Sequence, residues 1–195
     1  MQKIKIAILI SGRGSNMQAL IRACRSADFP AEAALVVSNK ADAQGLEFAR
    51  EQGIEAIFID HKKFSSRAEF DRALSVEIAK RNCEIVCLAG FMRLLSAEFI
   101  NEWQGRVINI HPSLLPEFKG ADAVGDAIKA GAKKSGCTVH FVVEEMDAGP
   151  IIMQAAVDVL PIDNKETLAA KILQKEHQIY PLALALVCES VTKNS

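Results

Sequence analysis

The chain has 195 residues, half of them hydrophobic and 24% charged, with a formal net charge of −1. That length and balance suit one soluble globular domain with a real core. The near-neutral charge gives no electrostatic case for nucleic acid or a membrane surface, and no apolar run approaches the roughly 18 residues of a spanning helix.

Residues 3–10 form an apolar, β-rich run, a buried strand. The run lacks the small-residue cleavage site of a signal peptide and leads into a glycine loop. Ser15 or Asn16 can cap a helix with Leu20, Ile21 and Cys24 on one face. Residues 33–37 read as a second strand. A helix capped by Asp42 follows, ended by Gly53. Residues 56–59 are a third strand, and Phe70, Leu74 and Ile78 stripe the next helix. Residues 84–89 are near-continuously apolar, as in a central strand buried on both faces. Ser96 caps a short helix, and residues 107–110 form a fifth strand ending at His111. Pro112 and Pro116 force an extended loop, in which a cis Leu115–Pro116 bond is plausible. A helix over 122–130, ended by Gly131, precedes strands at 137–143 and 151–159. The last helix opens on Asp163-x-x-Glu166, a capping-box pattern, and carries Leu168, Ile172, Ile179, Leu182 and Leu186; Pro181 should kink or break it.

Strands alternating with helices predict an α/β fold: an open, mostly parallel twisted sheet with helices on both faces and a Rossmann-like amino-terminal half. A single domain over 1–195 is expected, with a phosphate-binding half of about 1–105 and a catalytic half of about 106–195. The five cysteines include no C-x-x-C pair, which argues for reduced thiols and a cytoplasmic location. Cys83 and Cys87, four apart among Ile85, Val86 and Leu88, read as small core residues rather than metal ligands.

Three segments carry chemistry. Ser11-Gly12-Arg13-Gly14-Ser15-Asn16 lies between a strand and a helix, where backbone N–H groups and the helix dipole favour an anion such as phosphate. Met17 stands where a dinucleotide loop needs a third glycine, so a mononucleotide phosphate fits better than NAD. A tight turn without ligand is the other reading. Asn109 and His111 share one side of the fifth strand, at the carboxyl end where α/β sheets bind ligands. An amide donor and an imidazole there suit the oxygen of a tetrahedral acyl-transfer intermediate. A structural histidine is the alternative. Asp147, followed by Ala148-Gly149-Pro150, could orient a histidine and favour its charged form, or be part of a solvated acidic turn.

Together, I-S-G-R-G-S-N, N-I-H-P-S-L-L-P and M-D-A-G-P-I-I resemble the glycinamide ribonucleotide formyltransferase family within the folate-dependent formyltransferases, over essentially the whole chain. The resemblance implies formyl transfer from 10-formyltetrahydrofolate to the amine of glycinamide ribonucleotide in purine synthesis, without a metal. It assigns Asn109, His111 and Asp147 to catalysis and Gly14, Ser15, Asn16 and Glu176 to the acceptor. It assigns Arg67, Met92, Arg93, Leu94, Leu95, Asn109, Val143, Glu144, Glu145, Met146 and Asp147 to the folate. From the residues alone, Glu176 is one charge on a solvated helix face. Ala123 and Val124 depart from the threonine–histidine pair frequent in the family, which puts in doubt any substrate contact supplied there.

Small-molecule substrates are the expected partners, with the chain a monomer or homodimer. Hydrolysis of the same folate is a rival activity, though such relatives carry an amino-terminal regulatory domain for which a strand at residue 3 leaves no room. A methionyl-tRNA formyltransferase would carry a basic carboxyl-terminal region, which is not found here. A non-catalytic nucleotide-binding protein would use the glycine loop without needing Asn109, His111 and Asp147.

Overall fold

The structure, a computed structural model, describes residues 3–194; Met1 and Gln2, at the head of the first apolar run, lie outside the described residues. In chain order the elements are β1 (Ile4–Ile10), α1 (Ser15–Cys24), β2 (Ala31–Ser38), α2 (Gln44–Glu51), β3 (Glu55–Phe58), α3 (Arg67–Ala79), β4 (Ile85–Leu88), α4 (Ala97–Glu102), β5 (Val107–His111), α5 (Ala123–Lys129), β6 (Lys134–Phe141), β7 (Ile151–Asp158) and α6 (Lys165–Asn194). The strands form one open sheet in the order β3-β2-β1-β4-β5-β6-β7. The first five strands are parallel, and β6 and β7 are antiparallel to their neighbours.

Successive side chains of a strand face opposite sides of a sheet, so β1 feeds two cores. Ile6, Ile8 and Ile10 pack with Met17, Leu20 and Ile21 of α1, Leu46 of α2 and Tyr180 and Leu184 of α6. Ala7 and Leu9 pack on the other face with Phe70, Leu74 and Ile78 of α3 and Phe99 and Trp103 of α4. Each large apolar side chain buried this way contributes about 1.5–3 kcal/mol. Helices therefore cover both faces, as the alternating pattern predicts.

Local details differ from the sequence reading. Helix α1 is preceded not by a side-chain cap but by Gly14 in the left-handed region at φ 70°. A Cβ is disfavoured at that φ, and glycine is not. Asp42 is likewise not the cap of α2, which starts after Ala43. At α6 the reciprocal cap is one residue later than expected. Asn164 Oδ1 accepts from the Thr167 N–H at 2.9 Å, and Thr167 Oγ1 accepts from the Asn164 N–H at 3.0 Å. Asp163 instead accepts from the Leu160 N–H and pairs with Lys171. Helix α6 runs through Pro181 without a break, and Ser96 caps α4 as expected. Cys83, Cys87, Cys137 and Cys188 are buried free thiols, and burial pushes the Cys137 and Cys188 thiols up to about 12.

Candidate active site

The chain runs from β1 outward to β2 and β3 on one side, then crosses to β4 and β5 on the other. Where such a sheet reverses direction, the carboxyl ends of the two diverging strands open a crevice. Ser11, just past β1, ties the crevice loops together. Its N–H donates to the Gly90 carbonyl (3.1 Å), its hydroxyl donates to Asn39 Oδ1 (2.6 Å), and it accepts from the Met92 N–H (2.8 Å). Gly45, at the head of α2, donates to the Gly12 carbonyl at 3.1 Å. A Cβ there would crowd the carbonyls of Gly12 and Arg13. The loop from Gly12 to Gly14 is thus braced from two sides, and the first N–H groups of α1, which have no intrahelical acceptors, follow it.

The next contact on this side crosses most of the sequence. Asn16 Nδ2 donates to Glu176 Oε2 at 2.7 Å, with both residues buried. Asn16 Oδ1 is buried without a partner among the described residues. Burial pushes the Glu176 carboxyl above its ordinary range, opposed by the Asn16 hydrogen bond and the nearby His111. Glu176 is therefore not on a solvated helix face, as the residues alone suggested. It is 6% exposed and faces the glycine loop.

Asn109 and His111 stand at the end of β5, and the loop after them is fixed by one hydroxyl. Thr138 Oγ1 donates to the Ser113 carbonyl (2.7 Å) and accepts from the Leu115 N–H (3.1 Å) and Gln154 Nε2 (2.9 Å). The Leu115–Pro116 bond in this loop is cis. The loop returns Phe118 to the histidine, where His111 Nε2 lies 2.9 Å from the Phe118 carbonyl. A carbonyl only accepts, so Nε2 carries a proton, and Nδ1 is the nitrogen left for other partners.

Asp147 faces that nitrogen. Its Oδ2 lies 3.5 Å from His111 Nδ1 and accepts from the Gly120 N–H at 2.9 Å; its side chain is only 10% exposed. The backbone of Asp147 has φ 52°, a conformation that aspartate tolerates better than most residues. Just beyond it, Gly149 packs so closely that a Cβ would overlap the Phe141 carbonyl. Asp147 is therefore held toward the site and is not part of a solvated turn.

A cleft of about 420 Å³ opens on these groups. Arg67, Met92, Arg93, Leu94, Leu95, Asn109, His111 and all of residues 143–147 line it. The 90–95 loop is anchored from beneath. Arg93 lies over the Phe70 ring at 5.3 Å, and Asp71 Oδ2 accepts from the Ser96 N–H at 2.6 Å. Met92 and Leu94 remain exposed at the rim. Gly14, Ser15, Asn16 and Glu176 do not line this cleft, though Glu176 and His111 lie within electrostatic reach of each other. Ala123 and Val124 are buried at the start of α5, Val124 within the core cluster, and line no part of the cleft. A second, more open groove of about 710 Å³ lies between β3 and α3, and none of the sequence-predicted site residues faces it.

A histidine of the site was missed from sequence, as were the apolar wall residues Leu88, Ile100 and Val142 and the Gly120 N–H that meets Asp147. His140 on β6 is the register partner of Asn109 on β5. Its Nε2 is 3.2 Å from Asn109 Nδ2 and 3.8 Å from Asp147 Oδ1. The available signal was the Thr138-x-His140 spacing, two polar residues on one face of the strand among Cys137, Val139 and Phe141.

An open sheet with a helix-terminal glycine loop on one side of its crevice and an Asn–His–Asp group on the other is the arrangement of a group-transfer enzyme with two substrates. The chain belongs to the formyl transferase family, whose profile matches residues 4–184. It is 49% identical over 191 residues to the trifunctional purine biosynthetic protein adenosine-3 of Gallus gallus, covering 98% of this chain but only 19% of that protein's length. It is 45% identical to the phosphoribosylglycinamide formyltransferase of Haemophilus influenzae, covering 92% of this chain and 85% of that one. Its fold matches the glycinamide ribonucleotide transformylase 1 of Symbiobacterium toebii with a TM-score of 0.95 at 46% identity, over 96% of this chain and 89% of that one.

Proposed function

We propose that this protein transfers the formyl group of 10-formyltetrahydrofolate to the primary amine of glycinamide ribonucleotide, giving formylglycinamide ribonucleotide and tetrahydrofolate in purine synthesis. The observation that carries this reading is the convergence of Asn109, His111 and Asp147 on one cleft, with the Asn16–Glu176 pair close enough to act on His111. The cleft suits an extended, partly aromatic molecule. Its walls include Leu88, Ile100, Val142 and Val143, and the exposed Arg67 offers charge to an acidic tail. The loop at Gly14 and Ser15, with Asn16 and Glu176, holds the phosphate and ribose end of the acceptor.

Transfer is direct. Among the described residues, no cysteine and no serine lines the cleft. The acceptor nitrogen bonds to the formyl carbon, and the bond from that carbon to the folate nitrogen then breaks. Holding the two substrates together supplies much of the rate, since effective molarities of well-oriented groups reach about 10⁵ M or more. Asn109 and the Nδ1–H of a protonated His111, whose Nε2–H is held by the Phe118 carbonyl, donate to the formyl oxygen as it gains negative charge. Asp147 Oδ2, 3.5 Å from that Nδ1, supplies the counter-charge without taking its hydrogen bond. It also helps carry the proton lost by the amine toward the folate nitrogen, which leaves protonated.

Mixing the protein with a 10-formyl folate and glycinamide ribonucleotide, and following deformylation by absorbance, tests this. Turnover that depends on the acceptor and disappears in His111→Ala supports it. Release of formate without the acceptor would replace it with hydrolysis, and no turnover in either mixture would leave a nucleotide-binding protein.

A further inference from the structure

We infer that His140 is a positioning residue for formyl transfer: carrying its ring proton on Nδ1 and accepting at Nε2, it fixes which end of the Asn109 carboxamide faces the reacting groups. The inference rests on the transferase reading and deepens it.

The direction of each hydrogen bond follows from what its atoms can do. His140 Nδ1 lies 2.8 Å from the Phe141 carbonyl oxygen. A carbonyl cannot donate, so the proton sits on Nδ1. His140 Nε2 lies 3.2 Å from Asn109 Nδ2. An amide nitrogen donates and does not accept, so Nε2 must present its lone pair. Both contacts are met at once by a neutral ring protonated on Nδ1. The ring is 2% exposed. Burial holds its pKa below the ordinary 6.5, against the pull of Asp147 and with that of His111, the charged or titratable groups acting on it.

The consequence falls on Asn109. The same Nε2 is 3.8 Å from Asp147 Oδ1, and Asn109, His111, His140 and Asp147 line one cleft, so the end of the carboxamide held by His140 is on the side of the reacting groups. With His140 as acceptor that atom is nitrogen. One N–H is committed to His140 and the second is free to meet the formyl oxygen. If the carboxamide reversed, an oxygen would stand there and oppose the developing negative charge. A protonated His140, donating at Nε2, would select that wrong orientation.

Two measurements on the full chain test this. The first is the long-range 1H–15N spectrum of protein labelled with 15N-histidine, without substrates at neutral pH, with His140 assigned by its loss in His140→Gln. A ring protonated at Nδ1 and bare at Nε2 is expected; a proton on Nε2 would overturn the inference. The second is steady-state kinetics. His140→Leu, which has no acceptor, should lower kcat by about 10²–10³, as loss of one oxyanion donor does, with both KM values little changed. Adding Asn109→Ala to it should cost no more than Asn109→Ala alone. His140→Gln, which can place Oε1 near the former Nε2, should recover part of kcat. Unchanged kcat in His140→Leu, a loss confined to KM, or strictly multiplicative effects in the double variant would each overturn it. A wild-type protein without transfer would remove the proposed function, while the spectrum would still decide how the carboxamide is held.

Discussion

Asn16 in the first turn of α1 donates to Glu176 in α6 at 2.7 Å, across 160 positions of sequence. A buried amide held by a carboxylate is a charge-assisted bond, the stronger kind. It has a cost, because burial disfavours the ionised carboxyl and raises its pKa. A carboxyl raised on folding binds its proton more tightly in the folded state, so its burden on stability is present above the folded pKa. That burden disappears as pH falls through the folded value toward the ordinary 4.5.

Glu176→Gln should therefore melt at a higher temperature than the wild type at pH 7 and above, and the gap should close in acid. The same change should raise the KM for the acceptor, about tenfold or more if a charged hydrogen bond of ~1.5–3 kcal/mol is lost. Calorimetry across pH and acceptor titration would check the two halves separately.

Asn109→Ala should lower kcat by about 10²–10³ with smaller effects on KM. Its side chain is turned to the cleft from β5, so the melting temperature should move little. A variant that turned over like the wild type under saturating substrates would end the oxyanion role.

Thr138→Val keeps shape and removes one hydroxyl. That hydroxyl satisfies the Ser113 carbonyl, the Leu115 N–H and Gln154 Nε2. Each buried group left unmet costs about 1–3 kcal/mol. Urea denaturation should show a loss of at least that size. Turnover should fall as well, since the same loop brings the Phe118 carbonyl to His111.

Gly149→Ala adds one methyl group where the Phe141 carbonyl already stands. Overpacking of this kind costs about 1–3 kcal/mol or more. The connection between β6 and β7 must shift, and Asp147 with it, so both melting temperature and kcat should drop. Gly131→Ala, where φ is 62° but no atom lies within 4 Å, should cost stability and leave kcat alone.

Much of this was legible in the residues. The apolar run of β1, the glycine loop and the Asn109-x-His111 pair are local patterns, and local patterns survive folding. Glu176 was read as solvated because it is charged, although it stands four residues after Ile172 and four before Tyr180, on the buried stripe of α6. That spacing was visible; its meaning depended on Asn16, which no local pattern links to it. His140 was passed over because one histidine between Val139 and Phe141 looks like core until its antiparallel partner is known. The start of α1 falls at Gly14, before the expected cap at Ser15 or Asn16, and the cap of α6 falls one residue after Asp163, since Gly14-Ser15-Asn16 and Asp163-Asn164 offer several boundary residues in a row and tertiary packing chooses among them.

Tyr180 is fully buried, and its hydroxyl reaches the carbonyls of Leu88 at 2.9 Å and Ile108 at 3.2 Å. A ribosome releases those two strands first. The tyrosine follows 72 positions after Ile108, an interval of roughly 4–14 s at ordinary rates of synthesis. During it the nascent sheet lacks both the donor for those carbonyls and the helix that covers its apolar face. The last helix thus closes a face of the sheet that the growing chain has carried open since its central strands emerged.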